Sequence, residues 1–329
     1  MNILIYGAGA IGCHLAYCLN NKKNKIFLLT RGRNYERFIK NGLDLYIFQN
    51  KVLKKRVKLN YSNQIKFIND ISQIDCDLDF IFITVKLKDD NSKLYSHIFK
   101  LINKETAIIP PCTSLPTWWY FKFDKKFNIK INSKYKILKK FRKNIIGMTM
   151  WLSSVIDSPG VVSVKHVQRG YPLKEIDIKM KNKADYLRKL IKKKCKSPFV
   201  KNIYSEIYLK SVNSLAFNII ALKTKKNNFQ LKKDKNAIKN IYEIMDEFDS
   251  IIIKNKIKIT QSINSRIKQT LSSTNHTMSM LSDFKKKRVV ELRYSWLSFK
   301  PLINNISVTN KSFNFYKKVK MELIKKKLF

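Results

Sequence analysis

Gly7, Gly9 and Gly12 make a G-x-G-x-x-G spacing directly after an apolar run, Ile3 to Tyr6. A periodic apolar stretch through Leu15, Ala16 and Leu19 follows directly. The chain contains only 8 glycines, and three of them stand here. Each has a mechanical task in holding a dinucleotide. Gly7 permits the tight strand-to-helix turn, Gly9 lets the backbone approach a pyrophosphate, and Gly12 lets helix and strand pack closely. The phosphates would lie against the free N–H groups at the positive end of the helix. Gly7, Ala8, Gly9, Ala10, Ile11 and Gly12 are therefore the candidate cofactor residues. A glycine-rich turn of no function is the ordinary alternative, but it does not require a strand before and a helix after.

The end of the second strand selects the nucleotide. A carboxylate there accepts from a ribose 2′-OH, whereas an arginine accommodates a 2′-phosphate. Here the strand KIFLLT ends in Thr30-Arg31-Gly32-Arg33. Arg31, helped by Arg33, suits a phosphate dianion through charge-assisted bonds. Glu36 lies several residues too far on to compete. The expected cofactor is NADPH rather than NADH.

A second chemical set lies far downstream. Lys210, Asn213 or Ser214, and Asn218 recur at helical spacing in K-S-V-N-S-L-A-F-N. A lysine among small and apolar neighbours can have a lowered pKa and serve as a general acid for a carbonyl oxygen. In a chain this rich in lysine, a snorkelling side chain at a helix end is the commoner role. Ser279 and Glu291 stand twelve apart in S-M-L-S-D-F-K-K-K-R-V-V-E. A helix–loop–helix there would bring a hydroxyl and a carboxylate to one pocket; a cap and a surface glutamate are the bland alternative.

These residues need a scaffold, and the patterning supplies one. Lys25 to Thr30, Leu78 to Lys86, Thr106 to Pro110 and Asn144 to Ser154 read as strands, with a helix over KLYSHIFKLI between the second and third. Alternation of strand and helix after a nucleotide fingerprint implies a doubly wound, mostly parallel sheet. From Tyr204 onward the text turns helical, with long amphipathic stretches at EIYLKSVNSLAFNIIAL, AIKNIYEIMDEFDSIIIKN and residues 275–300. The expected fold is an α/β Rossmann-type domain over 1–200 followed by an all-α domain over 201–329. Residues 122–143 are lysine-rich and weakly patterned, as in a surface insertion.

Composition sets outer bounds. The chain has 329 residues and 44% hydrophobic content, enough for a large core and two domains. No apolar run approaches the ~18 residues of a membrane span, and the first strand begins too early for a signal peptide. The formal net charge of +44 would ordinarily suggest nucleic acid. Of the 67 basic residues only 10 are arginine; the excess is lysine, dispersed along the chain beside abundant Asn, Ile, Phe and Tyr. A/T-rich codon bias explains that pattern, so no specific nucleic-acid partner is expected. The 5 cysteines form no C-x-x-C pair, and the 4 histidines make no metal spacing. This is a reduced, cytoplasmic pattern with no metal expected.

Taken together, several pieces resemble the ketopantoate reductases (2-dehydropantoate 2-reductases). They are GAGAIG, ITVK ending in Lys86, P-P-x4-P with Trp118-Trp119, S-P-G-V-V at Ser158, K-x7-N at Lys210 and Asn218, and S-M-L-x-D-x7-E at Ser279, Asp283 and Glu291. The resemblance spans nearly the whole chain in the right order. It implies NADPH-dependent reduction of 2-dehydropantoate to D-pantoate, on the route to coenzyme A. By resemblance, Lys210 gives the proton to the ketone oxygen and Glu291 binds the substrate hydroxyl. Ser279 contacts the substrate carboxylate, Asn218 lines the pocket with Asn228 as a looser match, and Lys86 lies near the nicotinamide ribose. Three departures bear on the substrate: Thr113-Ser114 stands where the family commonly has Asn-Gly, Ser214 where it has an asparagine, and His276 where an asparagine can occur. A reductase of another branched 2-oxo acid, or a non-catalytic nucleotide sensor, are the rival expectations. The expected partners are a small 2-oxo acid and, at most, a second copy of the chain.

Overall fold

The apolar run that opens the chain becomes the middle strand of a parallel sheet. A computed structural model describes residues 1–49, 51–86, 92–110, 114–123, 136–254, 257–272, 277–303 and 310–329. The strands are β1 (Asn2–Tyr6), β2 (Lys25–Leu29), β3 (Leu43–Gln49), β4 (Val52–Leu59), β5 (Ile65–Ile68), β6 (Phe80–Ile83), β7 (Ala107–Ile109), β8 (Ile146–Met148), β9 (Trp151–Ser158), β10 (Val161–Gly170) and β11 (Leu173–Glu175). Five of them form one sheet in the order β5-β2-β1-β6-β7, every pair parallel. The order reverses direction at β1, so the turn after Tyr6 lies at a topological switch point, where such sheets bind ligands. A second sheet, β4-β3-β10-β9, and the pair β11-β8 complete the β structure.

The first helices are α1 (Ala10–Leu19), α2 (Arg33–Asn41), α3 (Ser92–Phe99), α4 (Lys136–Lys140) and α5 (Lys181–Lys192). Helix α1 is buried from Gly12 to Leu19 because it packs on β1 and β2 and is also covered by β9, β10 and α5. That coverage explains an imidazole deep in the core: His14 is 1% exposed and its Nδ1 lies 2.9 Å from the Tyr171 hydroxyl. Burial lowers its pKa to about 4, so the ring is neutral at neutral pH.

The later helices are α6 (Ile203–Thr224), α7 (Asn228–Lys232), α8 (Lys235–Lys254), α9 (Ile263–Leu271), α10 (Ser279–Lys285), α11 (Leu292–Ser298), α12 (Lys300–Ile303) and α13 (Asn310–Lys325). Helix α6 is apolar nearly all round and is correspondingly buried through Ile207, Val212, Leu215, Phe217 and Leu222. A buried ion pair, Arg266 on α9 with Asp249 on α8, ties two of its neighbours together.

By contacts the chain forms two units. One takes Met1–Lys86 and most of the chain from 90 to 203; the other takes Tyr204–Phe329 together with the tryptophan segment. That segment, a 3₁₀ helix at Thr117–Lys122, makes its bonds in the helical unit. Trp119 Nε1 donates to Tyr204 O at 2.8 Å, the Tyr120 hydroxyl to Ser298 O at 2.7 Å, and Ser114 Oγ lies 2.7 Å from Ser295 Oγ. So Trp118 and Trp119, though early in the sequence, are core residues of the later unit, 1% and 0% exposed.

The sheet is richer than the sequence reading. Strands β3, β4 and β5 were not expected. Asn144–Ser154, expected as one strand, splits into β8 and β9, which belong to different sheets. Residues 275–300, expected as an amphipathic stretch, break into α10 and α11 with Glu291 between them. Most of 122–143 lies outside the described residues. Among the described residues, no helix is long and apolar enough to cross a membrane.

Candidate active site

The glycine turn shows its purpose in what a side chain would strike. A Cβ on Gly12 would fall 1.9 Å from Gly7 O and 2.7 Å from Thr84 Oγ1, so α1 can pack this close only with glycine there. Gly7 has φ of +122°, and a Cβ there would lie 2.7 Å from Val85 Cγ1. Gly9 is different: its nearest non-local atom is Thr84 O at 4.0 Å. Among the described residues that is the nearest approach, at the position of the fingerprint whose backbone approaches a pyrophosphate. Thr84 fixes the turn from below, its hydroxyl donating to Gly7 O at 2.6 Å.

Gly9 is also the N-cap of α1 and offers no side-chain cap, and the first helical turn carries no acidic residue. The N–H groups of that turn and the positive helix end are left for an anion, with no carboxylate to repel it. Ala8, Ala10 and Ile11 are the small and apolar residues between the glycines. These residues fit a dinucleotide pyrophosphate.

Arg31 follows β2 and is exposed, as is Arg33 at the start of α2. Asp70, at the end of the neighbouring strand β5, has its carboxyl held below the ordinary value, chiefly by hydrogen bonds from Ser72 and in small part by Arg31. Arg31 thus follows the C-terminal end of β2, within electrostatic reach of the carboxyl that follows β5. Glu36 is exposed in the first turn of α2. Lys86 is exposed just past the end of β6. Thr113 and His276 lie outside the described residues.

In the helical unit, Lys210, Ser214 and Asn218 follow one another by a turn on α6 and share a face. Lys210 is half-buried, and burial lowers its pKa to about 8 against the opposing pull of Glu206, one turn earlier on the same helix. At neutral pH it is a charged acid with little reluctance to give up its proton. Asn218 is buried and fully used: Nδ2 donates to Ser214 O at 2.8 Å and to Ser214 Oγ at 3.2 Å, and Oδ1 accepts from Met280 N at 3.0 Å. That last bond docks the first turn of α10 on α6. Ser279, the first residue of α10, is exposed beside it. Glu291 is the half-buried N-cap residue of α11, its carbonyl accepting from Ser295 N at 3.0 Å.

The structure thus joins Ser214, Asn218 and the start of α10 by hydrogen bonds. Two other amides bond to Thr270. Asn228, fully buried at the start of α7, donates to Thr270 O at 2.9 Å, and Asn213 donates to Thr270 Oγ1 at 3.0 Å. Both brace α9. Sequence reasoning missed Glu206 and Thr84. Glu206 was legible in its four-residue spacing from Lys210; Thr84 had no local signal, because its partner is 77 residues away.

Fold and turn together define the class: a Rossmann-type α/β unit with a dinucleotide turn, followed by a helical unit. The family model described as ketopantoate reductase PanE/ApbA matches residues 3–111, and its C-terminal counterpart matches residues 202–296. The chain belongs to the ketopantoate reductase family, oxidoreductases that act on CH–OH groups.

Solved structures agree on the fold over nearly the full length. A 2-dehydropantoate 2-reductase from Geobacter metallireducens GS-15 superposes with a TM-score of 0.79 at 16% identity, covering 98% of this chain and 100% of that one. The counterpart from Methylococcus capsulatus gives 0.75 at 15% identity, covering 99% and 98%. A D-mandelate dehydrogenase in ternary complex with NADH and anilino(oxo)acetate gives 0.77 at 20% identity, covering 99% and 100%. No curated protein matches by sequence.

Proposed function

We propose that this chain reduces 2-dehydropantoate to D-pantoate with NADPH. The observation that carries the reading is Lys210, a half-buried ammonium on the Ser214–Asn218 face of α6 with a pKa near 8. Family membership supplies the reaction class. The chemistry supplied by a bound reduced nicotinamide is a hydride. The turn from Gly7 to Gly12 would hold the pyrophosphate, Arg31 a 2′-phosphate, and Lys86 the nicotinamide ribose. As negative charge grows on the carbonyl oxygen, Lys210 stabilises it and then donates its proton there. Glu291 receives the substrate hydroxyl and Ser279 its carboxylate. Asn218 acts indirectly, holding the α10 turn that carries Ser279.

A second reading is favoured by one observation. Ser214 offers a hydroxyl, already in contact with Asn218, where the family carries an amide. A pocket changed there suits another branched or aryl 2-oxo acid, and an anilino(oxo)acetate occupies one structural neighbour.

Loss of reduced-nicotinamide absorbance, followed with NADPH and then with NADH, decides among these. The substrates are 2-dehydropantoate, 2-oxoisovalerate and phenylglyoxylate. Preferred turnover of 2-dehydropantoate with NADPH supports the first reading. Preference for another acid supports the second. No turnover with any of them, together with no retention of NADPH, removes both.

A further inference from the structure

Cys18 and Cys195 are 177 positions apart, yet they meet in the core of the first unit beside His14. Cys18 Sγ lies 3.7 Å from His14 Nε2, and Cys195 Sγ lies within 4.8 Å of both. The ligand atoms of all three lie within 4.8 Å of one another, the one such group among the described residues. We propose that His14, Cys18 and Cys195 form a binding site for a thiophilic divalent cation of the zinc type.

Three features of the site argue for this. The first is spacing. Bonds of about 2.3 Å to sulfur and 2.0–2.1 Å to nitrogen at tetrahedral angles put S and N about 3.6 Å apart and two sulfurs about 3.8 Å apart. The observed 3.7 Å already meets the first figure. The second is the imidazole's other nitrogen. Nδ1 is paired with the Tyr171 hydroxyl at 2.9 Å, the outer contact that orients a ligating histidine and leaves Nε2 aimed at the sulfurs. The third is charge. A divalent cation with two thiolates and a neutral imidazole is net neutral, so it can occupy a dry interior without a buried excess charge. Binding releases the two thiol protons to solvent.

The placement gives the site a role. His14 and Cys18 are one turn apart in α1, the helix whose first residues form the glycine turn. Cys195 follows α5. A cation here would pin the phosphate-binding helix to the far end of α5. Cys195 is 8% exposed, against 1% for His14 and 0% for Cys18, so it marks the way in.

The test uses the full chain, reduced and stripped of metal by a chelator. Titration with Co²⁺ should give a thiolate-to-cobalt charge-transfer band in the near ultraviolet that saturates at one equivalent and is displaced by Zn²⁺. Cys18→Ser and Cys195→Ser should each abolish it, and Cys76→Ser should keep it. Tyr171→Phe should weaken cobalt affinity by about ten-fold or more. A measurement on the unaltered chain covers the case in which a variant fails to fold. One equivalent of Zn²⁺ should slow iodoacetamide alkylation of Cys195 at least ten-fold and leave Cys76 unchanged. Absence of the band at one equivalent, its persistence in Cys18→Ser, or equal alkylation of Cys195 with and without Zn²⁺ would overturn the proposal.

Discussion

Lys210→Met should make the protein more stable while removing most of its turnover. The lysine is a cation kept where cations are disfavoured. Its pKa falls from 10.5 to about 8, chiefly through burial. That gap of 10.5 − 8 = 2.5 units, at about 1.36 kcal/mol per unit, sets the cost of the charged form at about 3 kcal/mol. Because the side chain is only half-buried, solvent screening reduces this to about 1–2 kcal/mol.

The sign follows from proton counting. Below pH 8 the amine is charged in both folded and unfolded chains, and the penalty is complete. Between pH 8 and 10.5 the unfolded chain keeps a proton the folded chain has lost, so stability rises with pH. Above that range the penalty is gone. Met has similar length and no charge, so the variant should exceed the native chain by about 1–2 kcal/mol at pH 7. The difference should shrink toward zero by pH 10.5. Glu206, 7% exposed, loses its counter-charge in the variant, so the comparison is repeated on a Glu206→Gln background, where the gain should be larger.

Urea unfolding followed by fluorescence reads chiefly the helical unit, because three of the four tryptophans, Trp118, Trp119 and Trp296, are buried there and only Trp151 lies in the first unit. Turnover should fall by about 10²–10⁴-fold, the usual worth of a general acid, with NADPH affinity unchanged. A variant less stable than the native chain on both backgrounds, or a difference that ignores pH, would refute the reasoning.

The rate of ketone reduction in the native chain should decline as pH rises through about 8, where Lys210 loses its proton; a flat profile to pH 10 would separate the lysine from proton transfer. Arg31→Ala should weaken NADPH binding by about 10–100-fold, as expected for a charged hydrogen bond of about 1.5–3 kcal/mol, and leave NADH binding nearly unchanged; fluorescence titration with both cofactors checks it. Gly12→Ala places a methyl 1.9 Å from Gly7 O and should abolish cofactor binding, measured by calorimetry, with the helical unit still folded by tryptophan fluorescence. Asn218→Ala strands the buried Met280 N–H and should cost about 1–3 kcal/mol in urea unfolding.

What was legible in the sequence was whatever rests on local spacing. The glycine turn, β1, α1 and β2 are set by neighbours, and the apolar periods of α6 and α8 are long enough to read directly. Strand β4 was hidden because Lys54, Lys55, Arg56 and Lys58 are exposed and its burial does not alternate, leaving no two-residue pattern. The stretch from Asn144 broke because Thr149 N turns to Pro172 O at 2.9 Å, a partner no local window contains. In the candidate site, the shared helix face of Lys210, Ser214 and Asn218 was readable from their spacing, and their roles only from the resemblance. The hydrogen bonds that Asn213 and Asn228 give to Thr270 were not readable, because Thr270 lies on another helix. The His14–Cys18–Cys195 cluster was invisible for the same reason: Cys195 is 177 residues beyond Cys18.

The tryptophan segment has a consequence for how the molecule is made. Its hydrogen-bond partners, Tyr204, Ser295 and Ser298, leave the ribosome about 85 to 180 residues after Trp119 does. During synthesis two indoles and a phenol therefore wait without their seat while the rest of the first unit is completed around them. A gene fragment that begins at Tyr204 would encode the seat without its occupant, an apolar hole prone to aggregation, so the helical unit cannot be obtained by a single cut.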